Sequence, residues 1–207
     1  MERGIPDRDT AERMLTEAER LNPGPWVRHS RNVALAAKNI AVCCPSMDAE
    51  SAFVMGLLHD IGRREGPHGM RHVLDGYRYL ASLGYEKAAQ ICLTHSFPNG
   101  DLDEGQGKWD VSKEEYAFLK EYLASARYDD YDRLIQLCDA LGDASGFCLI
   151  EKRLVDVAVR NGVGPKTMRK WKEYFKMKDL FEARIHKVIY EVLPGVLENT
   201  FGMSQNN

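Results

Sequence analysis

Six histidines and aspartates in this chain of 207 residues fall on helical stripes whose other members are apolar. His29 shares a face with Val33, Ala36 and Ile40, and His59 follows Met55 and Ala52 at helical spacing. Asp60 follows Leu57 and Phe53, His72 lines up with Gly76, Tyr79 and Leu83, His95 with Ile91 and Ala88, and Asp139 with Ile135. Residues three, four or seven apart share one side of a helix, so each of these polar groups is predicted to lie on a largely buried face. Any one of them reads alone as a hydrogen-bonded core residue; six together do not. A buried carboxylate is costly unless matched, and the sequence offers neither aspartate an obvious lysine or arginine one turn away on its buried face. A divalent cation meets that need, because imidazole nitrogen and carboxylate oxygen both ligate first-row metals well.

Around these residues the periodicity is helical throughout, with no clear strand alternation. Helices are predicted from about Asp9 to Leu21, Trp26 to Cys44, a Ser46 or Asp48 cap to His59-Asp60, a start after Gly69 to Leu83, and Glu86 to His95. Arg63 to Gly69 and Phe97 to Asp110 read as loops, the second long enough to be functional. Ser112 with Glu115 forms a capping box for a helix to about Ala126. Asp130 or Asp132 starts the next helix, which ends near Gly142, with the acidic run from Asp129 read as its cap. Two or three further helices follow from about Phe147 to Leu193, broken at Asn161-Gly162-Val163-Gly164-Pro165. The expected organisation is an all-α domain over 1–150, a helical extension over 151–200 packed on it, and a frayed tail over 201–207.

The formal net charge of -3 gives no strong nucleic-acid signal. Lys166 to Asp179 is basic with interleaved aromatics, but reads first as a solvated helical face. No apolar run reaches the roughly 20 residues that span a bilayer. Cys43, Cys44, Cys92, Cys138 and Cys148 form no CxxC pair and sit in apolar stretches, as in a reducing compartment. With a charged N-terminus, these features indicate a cytoplasmic protein; a homodimer is left open.

His29, the pair His59-Asp60 and Asp139 together resemble the H…HD…D signature of the HD-domain superfamily, and Gly56 to Arg63, GLLHDIGR, looks much like its best-preserved segment. The resemblance runs from about Trp26 to Asp143. It implies an HD-domain helical bundle and a metal-dependent phosphohydrolase. His72 and His95 fall where the binuclear subfamilies, which include dinucleoside-tetraphosphate hydrolases and HD-GYP cyclic-dinucleotide phosphodiesterases, carry extra ligands. His68 is a rival for His72 but sits in a glycine-rich loop, and no GYP motif follows. Carried over by position, the first metal takes His29, His59, Asp60 and Asp139. The second takes His72 and His95, with Asp60 shared. Two divalent ions (Fe, Mn, Mg, Zn or Ni) are thereby implied, with a bridging hydroxide that attacks a phosphorylated small molecule, a nucleotide or similar.

Asp60 enters this scheme as a catalytic residue together with Arg63 and Arg64. Arg63 stands where the family often has lysine; arginine grips phosphate but is a poor proton donor. Lys108 and Trp109 are candidate substrate contacts in the long loop, although Trp109 reads better as a loop anchor. Two other readings accompany the resemblance: a di-iron HD-type oxygenase, and an HD signalling module without turnover.

Overall fold

The computed structural model describes residues 4–203. Helix α1 (Arg8–Leu21) is capped by Asp7, whose side chain accepts from Thr10 N at 2.8 Å. Helix α2 spans Pro25–Val42, with the proline in its first turn, where a missing N–H costs nothing. Helix α3 (Ala49–Leu58) is capped by Asp48, so of the two expected caps the aspartate serves. Every residue of α3 from Ser51 to Leu58 is buried, and a helix that is apolar all round belongs in the centre of a core. It packs against α1 and α2 and against the later helices α5 (Glu86–Thr94) and α7 (Asp130–Asp139). The crossing with α2 is close because Gly56 lies over Ala34: a Cβ there would stand 2.8 Å from the Ala34 Cα.

After Leu58 the chain tightens through His59 and Asp60 into a 3-10 turn, Ile61–Glu65, where a plain loop was expected from Arg63. Helix α4 (Arg71–Ser82) then packs against this turn. The approach depends on glycine: a Cβ at Gly62 would sit 2.0 Å from the His72 carbonyl oxygen and 2.3 Å from Gly76 N. The expected capping box of Ser112 and Glu115 opens α6 (Lys113–Ser125), and a second one, Asp129 with Asp132, opens α7. Helix α7 ends at Asp139, short of the expected Gly142, because a two-residue hairpin follows: β1 (Gly142–Asp143) pairs antiparallel with β2 (Gly146–Phe147).

Helices α8 (Ile150–Asn161) and α9 (Thr167–Ile185) complete the all-α bundle. Leu154, Tyr174, Met177, Phe181, Ile185, Ile189, Leu193 and Val196 join the same apolar core as Leu15, Ile40 and Leu57. A smaller core of Leu74, Leu93, Phe97, Leu119 and Leu123 lies under the long loop. The C-terminal stretch is more ordered than expected: beyond Leu193, where the predicted helices end, a short helix α10 (Val196–Phe201) runs to the first residue of the expected tail. Val196 is buried, and Asn199 donates to the Phe147 carbonyl at 2.7 Å, which ties the short helix to β2. The last four residues of the expected tail lie outside the described residues. Among the described residues no helix is long and apolar enough to cross a membrane.

Replacing Gly62 with alanine should destabilise the protein by about 3 kcal/mol, the upper range for overpacking, since both obstacles are backbone atoms. Urea denaturation measures this; an unchanged midpoint would contradict the close approach of the turn to α4.

Candidate metal centre

The ends of α3 and α5, the second turn of α2, the first turn of α4 and the last residue of α7 bring the six polar residues together, five of them lining one cavity with His59 behind it. The rings of His29 and His59 lie 5.2 Å apart, those of His59 and His95 5.0 Å, and those of His72 and His95 5.7 Å, centre to centre. Each of three histidines is oriented by its own backbone. His59 Nδ1 donates to the Gly56 carbonyl at 2.7 Å, His72 Nδ1 to Gly69 at 2.6 Å and His95 Nδ1 to Ile91 at 3.2 Å. A carbonyl only accepts, so each Nδ1 holds a proton, and a ring with no second proton keeps its lone pair on Nε2.

Those lone pairs face one carboxylate. Asp60 Oδ1 lies 3.2 Å from His72 Nε2 and 3.7 Å from His95 Nε2, and Asp60 Oδ2 lies 3.9 Å from His59 Nε2. His29 differs: its Nε2 donates to Asp139 Oδ1 at 3.0 Å, and its Nδ1 is the buried nitrogen without a partner. Around Asp60 the lone pairs oppose one another. Acceptor opposite acceptor is repulsive unless something positive lies between. His59 Nε2 and Asp60 Oδ1 are buried with no hydrogen-bond donor. Two sets, His29-His59-Asp139 and His59-Asp60-His95, have ligand atoms close enough for one ion each. Nδ1–H bonded to a backbone carbonyl is also the usual way a metal-binding imidazole is held. The donor set therefore fits divalent cations.

The electrostatics agree. Burial pushes the Asp60 carboxyl upward, but the Arg63 guanidinium and the imidazoles of His59 and His72 outweigh it and hold the group well below the usual carboxylate range. Asp139 is likewise pushed up by burial and pulled further down by the hydrogen bond from His29 and the other imidazoles. Burial lowers His59, against the pull of Asp60 and Asp139, and lowers His95 to about 3. At neutral pH these two rings are neutral, the form in which an imidazole ligates.

Other expected residues divide. Arg63 lines the cavity and donates from Nε to Asp60 Oδ2 at 2.6 Å. This corrects the expectation that Asp60 has no arginine one turn away: the 3-10 turn folds the i+3 side chain back over it. Arg64 points elsewhere, with its guanidinium 4.0 Å from the Tyr79 ring centre and NH2 3.1 Å from Glu17 Oε1. His68 stays in its loop, 3.8 Å from Asp110 Oδ2. Trp109 stacks on Phe97 with centres 6.0 Å apart and so anchors the loop. Lys108 is exposed, and Gln106 is the residue of that segment that lines the cavity.

The cavity, about 330 Å³, also takes in residues that sequence reading missed: Trp26, Met70, Arg153 and Tyr174, and Lys170 from α9. Arg153 reaches Asp139 at 3.8 Å and Asp143 at 3.6 Å, the distant arginine that a buried aspartate needs. Lys170 occupies the same stripe as Thr167, Tyr174, Met177 and Phe181; the polar-on-apolar signal that picks out the histidines would have found it.

A network behind the centre sets the relation of α5 to α7. Asp132, fully buried, accepts from Lys87 Nζ at 2.8 Å, Thr94 Oγ1 at 2.6 Å and Gln90 Nε2 at 2.9 Å. Gln136 Nε2 donates to the Thr94 carbonyl at 2.9 Å. These bonds fix the residue next to His95 against the helix that ends in Asp139.

The HD domain family matches residues 26–142, more than half of the sequence, and the chain belongs to that family. No curated protein matches it. Among solved structures it is similar to the HD domain of the L. monocytogenes phosphodiesterase PgpH in complex with cyclic-di-AMP, at 17% identity and a TM-score of 0.48, over 94% of this chain and 98% of that one.

Changing Asp132 to Ala should cost about 3 kcal/mol, as when one partner of a buried ion pair is removed. It should also weaken divalent-metal uptake although Asp132 ligates nothing. Thermal melts and metal titration of the variant test both; full metal affinity would show that the network does not position His95 and Asp139.

Proposed function

We propose that this protein is a metal-dependent phosphohydrolase acting on a phosphorylated small molecule, with a nucleotide or similar compound as substrate. The observation that carries the proposal is the buried Asp60 carboxylate facing three imidazole Nε2 lone pairs within 3.9 Å. In our reading one divalent cation takes His29, His59, Asp60 and Asp139, and a second takes His72 and His95, with Asp60 shared. Two such ions, when bound, supply Lewis acidity, drawing charge from phosphoryl oxygens and making water acidic enough to attack at neutral pH.

The chain's own residues supply the rest. Arg63 spends Nε on Asp60 and sets NH2 3.4 Å from His72 Nε2, which leaves NH1 for a hydrogen bond to a phosphoryl group as charge develops there. Burial lowers its pKa but the Asp60 carboxylate raises it by more, so Arg63 acts through charge and not by giving up a proton. The leaving group must then take its proton from elsewhere. Trp26, Met70, Leu154, Val157 and Tyr174 give the cavity an apolar side, and Ser96, Gln106 and Asn161 give it hydrogen-bonding groups. A volume of about 330 Å³ lies at the small end of ligand pockets, roughly 300–1,000 Å³, and suits one compact phosphorylated molecule.

A first panel should hold nucleoside monophosphates, dinucleoside polyphosphates, cyclic dinucleotides and an aryl phosphate. Phosphate release or diester cleavage from at least one, dependent on added metal and abolished by a chelator, is the expected result. Turnover of none by metal-loaded protein would contradict the proposal. His72→Ala separates two metals from one: the variant should hold one equivalent in place of two and lose more than about 100-fold in kcat/KM, beyond the loss typical of an outer partner of a metal site. Full activity in that variant would remove His72 from the ligand set.

A further inference from the structure

Helix α9 carries a cation that the folded protein leaves unmatched. Of the basic residues between Lys166 and Asp179, Arg169, Lys172 and Lys176 are exposed, as a solvated face requires, but Lys170 is only 6% exposed. Its Nζ makes one hydrogen bond, to the Glu104 carbonyl at 3.2 Å, and lies 5.9 Å from the Tyr174 ring centre. No carboxylate among the described residues forms an ion pair with it. Arg153, also contributed from beyond the hairpin, has both Asp139 and Asp143 within reach. The Glu104 carboxylate is turned to Asn99, accepting from Nδ2 at 2.5 Å and from the backbone N at 3.1 Å.

An ammonium has three protons to donate, and Lys170 uses one. Keeping the other two out of water without an anion is unfavourable. Burial draws the group down to about 8, against the opposing pull of Asp139 and Glu104. Lys170 nevertheless lines the same cavity as His29, Asp60, Arg63, His72, His95 and Asp139. A buried, single-bonded cation facing a ligand-sized space is built to receive an anion.

We propose that Lys170 is a substrate-binding residue whose ammonium takes an oxygen of the substrate's phosphate, so that α9 completes the active site begun by the HD residues. The proposal rests on the phosphohydrolase reading only for the identity of the anion. It adds a requirement: the pocket binds phosphate through a side chain that is not a metal ligand and lies outside residues 26–142.

The test uses inorganic phosphate as probe, titrated calorimetrically into the metal-loaded full chain. Lys170→Met keeps the unbranched stem, one atom shorter, and removes the charge, and Lys170→Arg keeps the charge. The methionine variant should bind phosphate about 10–100-fold more weakly, the range for losing a hydrogen bond to a charged group, with unchanged metal content; the arginine variant should recover part of the loss. In wild-type protein, phosphate should also protect Lys170 from reductive methylation, read by mass spectrometry, which serves if Lys170→Met does not fold. Unchanged phosphate affinity with a lowered melting temperature would mean that Lys170 only ties α9 to the Glu104 carbonyl, and would overturn the proposal, as would methylation indifferent to phosphate. Lys170-dependent phosphate binding without metal uptake would sink the phosphohydrolase reading and leave this inference standing. Metal-dependent hydrolysis with Lys170-independent phosphate binding would do the reverse.

Discussion

The structure turns on one carboxylate. Asp60 is 3% exposed, with His72 and His95 Nε2 beside Oδ1 and with His59 Nε2 and the Arg63 guanidinium beside Oδ2. A carboxylate in that position is tolerable only because positive charge converges on it, and three of the four imidazoles at the centre are turned to face inward by backbone carbonyls that claim their Nδ1 protons. Arg63 supplies part of the charge. The remaining lone pairs, on His59 Nε2 and Asp60 Oδ1, are what a divalent cation would satisfy.

The bundle can be understood as the means of holding these groups together. The all-apolar α3 delivers His59 and Asp60 to the middle of the protein, and glycines at 62 and 76 let α4 come close enough for His72 to reach Asp60. The Asp132 network fixes α5 to α7, hence His95 to Asp139. The C-terminal helices close the pocket: α8 brings Arg153 to Asp139 and α9 brings Lys170. Separate elements, distant in sequence, are each tied down one step away from the residue they present.

The fold and the six central residues were legible in the sequence because both speak through the same period. A histidine on an apolar stripe is visible as an exception to the pattern that defines the helix, and the capping box at Ser112 marks one helix start directly. The signal failed where the helix stopped. Past Asp60 the chain becomes a 3-10 turn, with about three residues per turn, and this places Arg63 over Asp60 while Arg64 swings to Tyr79. No stripe foretells that. Lys170 was hidden for a different reason: its neighbours Arg169 and Lys172 are solvated, and composition averaged it with them although its position among Thr167, Tyr174 and Met177 sets it apart. Helix α10, six residues long, has too few turns to show a period, and its order comes from tertiary bonds such as Asn199 to Phe147.

The central claim is that the imidazoles and carboxylates converge in order to hold cations. Anomalous diffraction from crystals of the metal-loaded protein, collected on either side of the metal's absorption edge, tests it most directly. Two peaks roughly 3.5–4 Å apart should appear, one beside His29, His59 and Asp139, the other beside His72 and His95, with Asp60 between them. Absence of any peak in the cavity of saturated protein, with the six side chains bonded only to one another, would contradict it.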